Sequence, residues 1–278
     1  MKNDQPTVDA VGFFRNFALM KPIRPFFYIV IAAILFPTIG CTSSTEERAH
    51  DYIAHGGGSI DGYLCTNSLE AVENALANGI DYVELDLALT TDSLLVATHD
   101  WSFFRETAGF TPSDEAVDSS TFVNAKIYGL YTPLTAREIV QLLERHPSMT
   151  LVTDKVSDPE IIDRYFSGFR DRVIVESFSR RDYNALNALG YRSFNNGKPP
   201  YSPVYRLKEL LNFVRPNVRN YSLSVSAFKE KFDGKPRWLY PDECAIALYT
   251  AAGRQEADSL FAAYPNVRFV YIDDVEKK

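Results

Sequence analysis

From residue 51 onward, short apolar runs rich in strand formers alternate with segments whose apolar positions recur every three to four residues. The strand-like runs fall at 51–55, 81–87, 150–154, 173–178, 191–195, 220–226, 245–250 and 268–273. Helix signals lie between them. Asn67 with Glu70 makes a capping-box pattern ahead of Leu69, Val72 and Leu76, closed by Gly79. Thr135 with Glu138 makes a second, ahead of Ile139, Leu142 and Leu143, and Asp158-Pro159 puts proline at a first helical position. Ser179 to Leu189 ends at Gly190, Val204 to Phe213 precedes Pro216, and Gln255 to Ala263 precedes Pro265. Strands alternating with helices predict a parallel sheet, and eight such units predict an α/β fold, a (β/α)8 TIM barrel.

One apolar run, 94–99, interrupts the alternation. Only Thr90-Thr91-Asp92-Ser93 separates it from the preceding strand, too short for a parallel crossover, so the two form an antiparallel hairpin after strand two. Residues 101–133 show no clear periodicity and read as an insertion over one face. Their bulky residues, among them Trp101, Phe104, Phe110, Phe122 and Tyr128, predict that it packs down.

Residues 1–50 stand apart. Lys21 and Arg24 precede an apolar run, Phe26 to Ile39, that ends at Gly40-Cys41. A basic stretch, a short apolar stretch and a small residue describe a secretory signal. The run is shorter than the roughly 20 residues that a bilayer-spanning helix needs, and Pro37 interrupts it. With cysteine at the cut it resembles a bacterial lipoprotein signal, Cys41 being the lipidated residue, although Thr38 stands where leucine is usual. The expected organisation is a leader over 1–41 with Met20 as an alternative start, a polar tether over 42–50, and the barrel over 51–278. The expected location is the bacterial cell envelope, with the membrane reached through the lipid on Cys41.

The chain has 278 residues, 46% of them hydrophobic, enough for one large core. Its net charge of −7 offers no footprint for nucleic acid. The barrel would place Cys65 and Cys244 at opposite ends, too far apart for a disulfide, so both are expected as free thiols.

The candidate chemistry sits between Asp51 and Trp101. Glu84 and Asp86 alternate on one face of their strand, while Val83, Leu85 and Leu87 take the other. Two carboxylates on one buried face lose solvation and repel, so they need a cation, either a metal ion or a lysine. His55 ends the first strand and runs into Gly56, Gly57 and Gly58, which allow close backbone approach. The hairpin brings His99 roughly opposite the two acids.

His-Gly, Asn-Ser-Leu-Glu, Glu-Leu-Asp and His-Asp, in that order, resemble the glycerophosphodiester phosphodiesterase family of the phosphatidylinositol phospholipase C-like superfamily. The family pattern is His-Arg-Gly, Glu-Asn-Thr, Glu-x-Asp and His-Asp. Weaker likenesses follow at Arg105-Glu106-Thr107, Pro133-Leu134-Thr135, Ser177-Phe178, Tyr249-Thr250 and Ile272-Asp273-Asp274. The resemblance implies hydrolysis of a phosphodiester, with a small-molecule or lipid-derived glycerophosphodiester as substrate. It implies His55 and His99 as general acid and base, and a divalent cation, Mg2+ or Ca2+, on Glu84 and Asp86. The family's Glu-x-Lys motif becomes Thr153-Asp154-Lys155. Lys155 then contacts phosphate, and Asp154 becomes the third metal ligand if the strand ends early enough for it to turn inward.

The departures matter. Gly56 replaces the family's arginine, and Thr66 replaces the glutamate before Asn67, which itself is expected as a helix cap. Lys155 can also neutralise Glu84 and Asp86 without any metal. Two alternatives therefore stand beside the soluble diesterase: a phospholipase C-like enzyme, and a binding protein on the same barrel.

Overall fold

The structure is a computed structural model, and it describes residues 50–196, 220–234, 245–264 and 266–276. The expected leader, Cys41 and the tether up to residue 49 lie outside the described residues, as do the expected helix at 204–213 and Cys244.

Every predicted apolar run forms a strand, and Leu134–Thr135, which was not predicted as one, forms another. In chain order these are β1 (Asp51–Ala54), β2 (Tyr82–Leu89), β3 (Leu95–Ala97), β4 (Leu134–Thr135), β5 (Thr150–Asp154), β6 (Val173–Ser177), β7 (Arg192–Asn196), β8 (Asn220–Ser224), β9 (Ala245–Gly253) and β10 (Val267–Asp274). β3 pairs antiparallel with β2 and β4. The other eight run parallel, and pairing of β1 with both β10 and β2 closes them into a ring. The (β/α)8 barrel read from the sequence is the fold.

Strand alternation divides the core in two. Ile53, Val152, Ile174, Phe194, Ala247, Phe269 and Tyr271 fill the barrel interior. Their neighbours Ala54, Val83, Leu85, Leu151 and Val175 point outward, against the helix residues Val72, Ile139, Leu142, Ile162 and Leu186. The helices carrying those faces are α1 (Leu69–Ala77), α4 (Ala136–Arg145), α5 (Pro159–Phe166) and α6 (Arg180–Leu189). α7 (Val225–Phe232) and α8 (Arg254–Ala263) continue the layer. α4 opens on the predicted capping box, in which Thr135 and Glu138 bond each other's backbone. Asp158 caps α5 ahead of Pro159.

The insertion after the hairpin packs down, as its aromatic content required. It holds α2 (Trp101–Thr107) and α3 (Ser119–Asn124). Phe104 and Phe122 stack at 4.7 Å and are buried with Val96 and Val117.

One cap differs from expectation. Ser68, not Asn67, caps α1, accepting from Ala71 N at 3.3 Å. Asn67 precedes it at φ 51, a left-handed conformation that asparagine tolerates. Glu70 leaves the box and accepts from Thr132 N and Oγ1, both at 2.7 Å. The amide of Asn67 is engaged elsewhere, as described next.

Candidate active site

β2 delivers the two acids as alternation requires. Tyr82, Glu84 and Asp86 share the inward face, and Glu84 and Asp86 are buried. In the parallel register Asp86 lies beside Asp154 of β5. The sequence required the strand to stop at Thr153 for Asp154 to turn inward. Instead β5 runs through Asp154, which faces inward by plain alternation with Val152. One carboxylate oxygen from each of Glu84, Asp86 and Asp154 falls within 4.8 Å of the others.

Lys155 and Asp154 were both expected at the site, and both reach it. The backbone turns to φ 66 at Lys155, and its Nζ returns to 3.4 Å from Asp86 Oδ1. The same Nζ donates to the carbonyl of His99, tying β5 to the end of the hairpin.

His55 lies one residue past β1, in a single 3-10 turn over His55–Gly57. Its Nδ1 pairs with Asp273 Oδ1 at 2.8 Å. The Cys65 thiol, free as expected, sits 3.8 Å from the same Nδ1. Burial pushes the His55 pKa down, but the Asp273 hydrogen bond, Cys65 and Glu84 outweigh it and raise it to about 11. In the hairpin, Thr98 N donates to Asp86 O at 2.8 Å, so His99 follows directly after the residue abreast of Asp86. Its Nδ1 pairs with Asp100 Oδ2 at 2.7 Å, while Asp100 Oδ1 caps α2 by accepting from Phe103 N. Each imidazole is thus oriented by a carboxylate on Nδ1.

Gly56 does not leave a gap where the family carries arginine. Its φ is 55, and a Cβ there would stand 2.6 Å from the Cys65 Cα, so the loop backbone occupies that space. Its N–H donates to Glu84 Oε2 at 2.7 Å. Asn67 performs the matching task for Asp86: Nδ2 donates to Oδ2 at 3.0 Å, and Oδ1 accepts from the Asp86 N–H at 2.8 Å. It is neither helix cap nor free substrate contact.

The donor set suits a hard divalent cation. Glu84 Oε1 is buried and has no hydrogen-bond partner among the described residues. Burial first, then the charge of Asp86, raises the Glu84 pKa well above the usual range. Burial likewise raises that of Asp154. Acids held this way want positive charge beyond what His55 and Lys155 bring, and a divalent cation with oxygen ligands would supply it.

Two groups escaped the sequence reading. Asp273 was noticed only as part of a motif; its place in line with Phe269 and Tyr271 on β10 is the signal that aims it at His55. Glu176 was missed outright, although it follows the apolar Val173-Ile174-Val175 as the inward partner of Ile174. It is buried, accepts from Ser222 Oγ at 2.9 Å and Asn196 Nδ2 at 3.1 Å, and also bonds the Tyr271 hydroxyl. Burial, then the charge of Asp154, lifts its pKa to about 7.

The Glycerophosphoryl diester phosphodiesterase family matches residues 55–126, which hold His55, Glu84, Asp86 and His99. Glycerophosphodiester phosphodiesterase 1 of Bos taurus is 28% identical over 243 residues, covering 73% of this chain and 69% of that protein. Lysophospholipase D GDPD3 of Homo sapiens is 45% identical over 53 residues, which are 19% of this chain and 16% of that protein. The chain therefore spans only a small part of the second relative's length. The fold matches the glycerophosphodiester phosphodiesterase of Agrobacterium tumefaciens with a TM-score of 0.59 at 16% identity, over 82% of this chain and 97% of that one.

Proposed function

Because residues 55–126 match the glycerophosphoryl diester phosphodiesterase family, we propose that the chain hydrolyses a phosphodiester, a glycerophosphodiester above all. The observation that carries this reading is the triad of Glu84, Asp86 and Asp154 at the strand ends, flanked by two histidines that carboxylates orient. Strand C-terminal ends are where such barrels carry their chemistry.

The three carboxylates would hold Mg2+ or Ca2+, which when bound stabilises negative charge on the phosphoryl oxygens. Lys155 adds a fixed positive charge at the same mouth and takes the phosphate contact that the family's arginine would make. A bond forms between phosphorus and the oxygen of the attacking water or substrate hydroxyl, and the bond from phosphorus to the leaving alcohol breaks. His99 accepts the nucleophile's proton. His55, held protonated beside Asp273, gives its Nε2 proton to the leaving oxygen. With water as nucleophile the products are an alcohol and a phosphomonoester; with a substrate hydroxyl the first product is a cyclic phosphate. Asp273 and Asp100 fix the tautomers that leave both Nε2 atoms available.

The test is a panel of soluble diesters, assayed for phosphomonoester and cyclic phosphate with and without chelator. Release that stops with chelator and returns with added cation supports the reading. Absence of release from every diester, with cation present, refutes it.

A further inference from the structure

Among the described residues three carboxylates are buried, Glu84, Asp86 and Glu176, and Glu176 has no task in the hydrolysis proposed above. It stands on β6 at the level of Asp154, because Val152 pairs with Ile174, yet it is outside the acid triad. Its oxygens engage the other half of the barrel. Oε2 accepts from Ser222 Oγ of β8 at 2.9 Å and from Asn196 Nδ2 of β7 at 3.1 Å, and Oε1 accepts from the Tyr271 hydroxyl of β10. Asn196 in turn accepts from the Tyr249 hydroxyl of β9 at 3.4 Å. Five consecutive strands thus meet on one carboxylate. Apolar side chains of similar volume commonly replace such buried charge without loss of stability, so stability alone gives no reason for it. The reason lies in what it holds.

Tyr271 leads from Glu176 to the reacting centre. Its buried ring meets the His55 imidazole edge-on, with centroids 6.4 Å apart and planes at 82°. Asp273, two residues on and on the same face of β10, takes His55 Nδ1 at 2.8 Å. β10 therefore grips His55 twice. The hydrogen bond to Asp273 leaves the imidazole free to swing about it, and the edge of Tyr271 stops the swing. Tyr249 backs Tyr271 edge-on at 6.2 Å, while the hydroxyl bond to Glu176 pins the far end of the ring across the barrel.

We propose that Glu176 is a positioning residue: through the Tyr271 hydroxyl it sets the orientation of His55 for proton transfer to the leaving alcohol. The inference rests on the hydrolysis proposed above, with His55 as its acid, and adds the residues that hold that acid in place.

The experiment reads leaving-group dependence. An alkyl alcohol needs a proton to leave, whereas a nitrophenolate leaves without one, so a misplaced acid slows an alkyl diester and spares a nitrophenyl diester. Damage to the fold or to cation binding slows both. Tyr271→Phe keeps the ring and removes only its bond, Glu176→Leu removes the other end, and Glu176→Gln keeps an acceptor for the hydroxyl. With cation present, the first two should lower kcat for an alkyl glycerophosphodiester by about 10–100-fold, with KM level. The nitrophenyl diester should stay within about twofold of the wild type. Glu176→Gln should restore most of the alkyl turnover. The double variant Glu176→Leu/Tyr271→Phe should be no slower than the slower single one, because both break one bond. The NMR resonance of the His55 Nδ1 proton gives a readout that needs no turnover: sharp in the wild type and in Glu176→Gln, exchange-broadened in the other two. Equal slowing of both diesters, full alkyl turnover in Tyr271→Phe, or additive losses in the double variant overturns the proposal and spares the hydrolysis. If Glu176→Leu does not fold, Tyr271→Phe decides alone. A wild type that cleaves neither diester, with the resonance still broadened in Tyr271→Phe, overturns the hydrolysis and upholds the positioning of His55; a resonance unchanged in Tyr271→Phe overturns the positioning.

Discussion

Asn67→Ala is the most informative single change, because Asn67 touches no substrate in this account and yet holds a metal-ligand carboxylate. Its amide donates to Asp86 Oδ2 at 3.0 Å and accepts from the Asp86 N–H at 2.8 Å. Alanine leaves that buried N–H unpaired, at about 1–3 kcal/mol, and removes a hydrogen bond to a charged group worth about 1.5–3 kcal/mol. Alanine must also adopt φ near 51, a conformation that asparagine tolerates better through local hydrogen bonding, which adds up to about 1 kcal/mol. Relaxation and water recover part of this, so the expected loss is about 3 kcal/mol, or roughly 10 °C in melting temperature for a unit of this size. Loss of an oriented outer partner should also weaken metal affinity by about 10–100-fold. Thermal melts in chelator and calorimetric cation titrations measure the two effects. A melting shift below about 2 °C together with unchanged cation affinity would show that Asp86 needs no clamp, and the reasoning would fail.

Asp154→Asn should weaken cation binding about as much as Asp86→Asn, because the two lie abreast in the sheet; normal affinity in the Asp154 variant would place the third ligand elsewhere. Lys155→Met removes the ammonium 3.4 Å from Asp86, so cation affinity should hold or rise while turnover falls. Glu176 is raised from 4.5 to about 7 in the folded protein, so its neutral form is the one the fold favours. Its contribution to stability is complete below about pH 4.5 and is lost as pH rises toward 7. Glu176→Gln should flatten the fall in stability of the metal-free protein over that window, and denaturant titrations with an unchanged slope would contradict this. We further propose that the mature protein is held at the cell envelope through Cys41, so Cys41→Ser should release it or leave an uncleaved precursor; unchanged fractionation, mass and cleavage would refute the anchor.

How far the site could be read from sequence follows from how local each contact is. Glu84 and Asp86 needed only the two-residue period of one strand, and His99 needed only a turn too short to cross over. Asp154 required the register of β5 on β2, which no single strand contains, and so it was given the right face for the wrong reason. Lys155 was assigned from the family's Glu-x-Lys motif, and a left-handed backbone at the strand end is what lets it reach the site beside Asp154. Asn67 matched a capping pattern, and a bond to Asp86, 19 residues on, overrode it. Asp273 meets His55 only because the ring closes β1 against β10, across 218 residues. The Gly56 substitution looked like a lost function. In this chain the Cys65 backbone fills the space beside Gly56, and the Gly56 N–H serves Glu84.

The central claim is that Glu84, Asp86 and Asp154 form one cation site on which phosphodiester hydrolysis depends. The direct measurement is turnover of a soluble glycerophosphodiester by chelator-treated protein as Mg2+ or Ca2+ is added back, for the wild type and for Glu84→Gln in parallel. The account predicts no turnover without cation, saturable recovery in the wild type, and none in the variant although it remains folded. Full turnover by the wild type in chelator, or recovery in Glu84→Gln equal to the wild type, would contradict it.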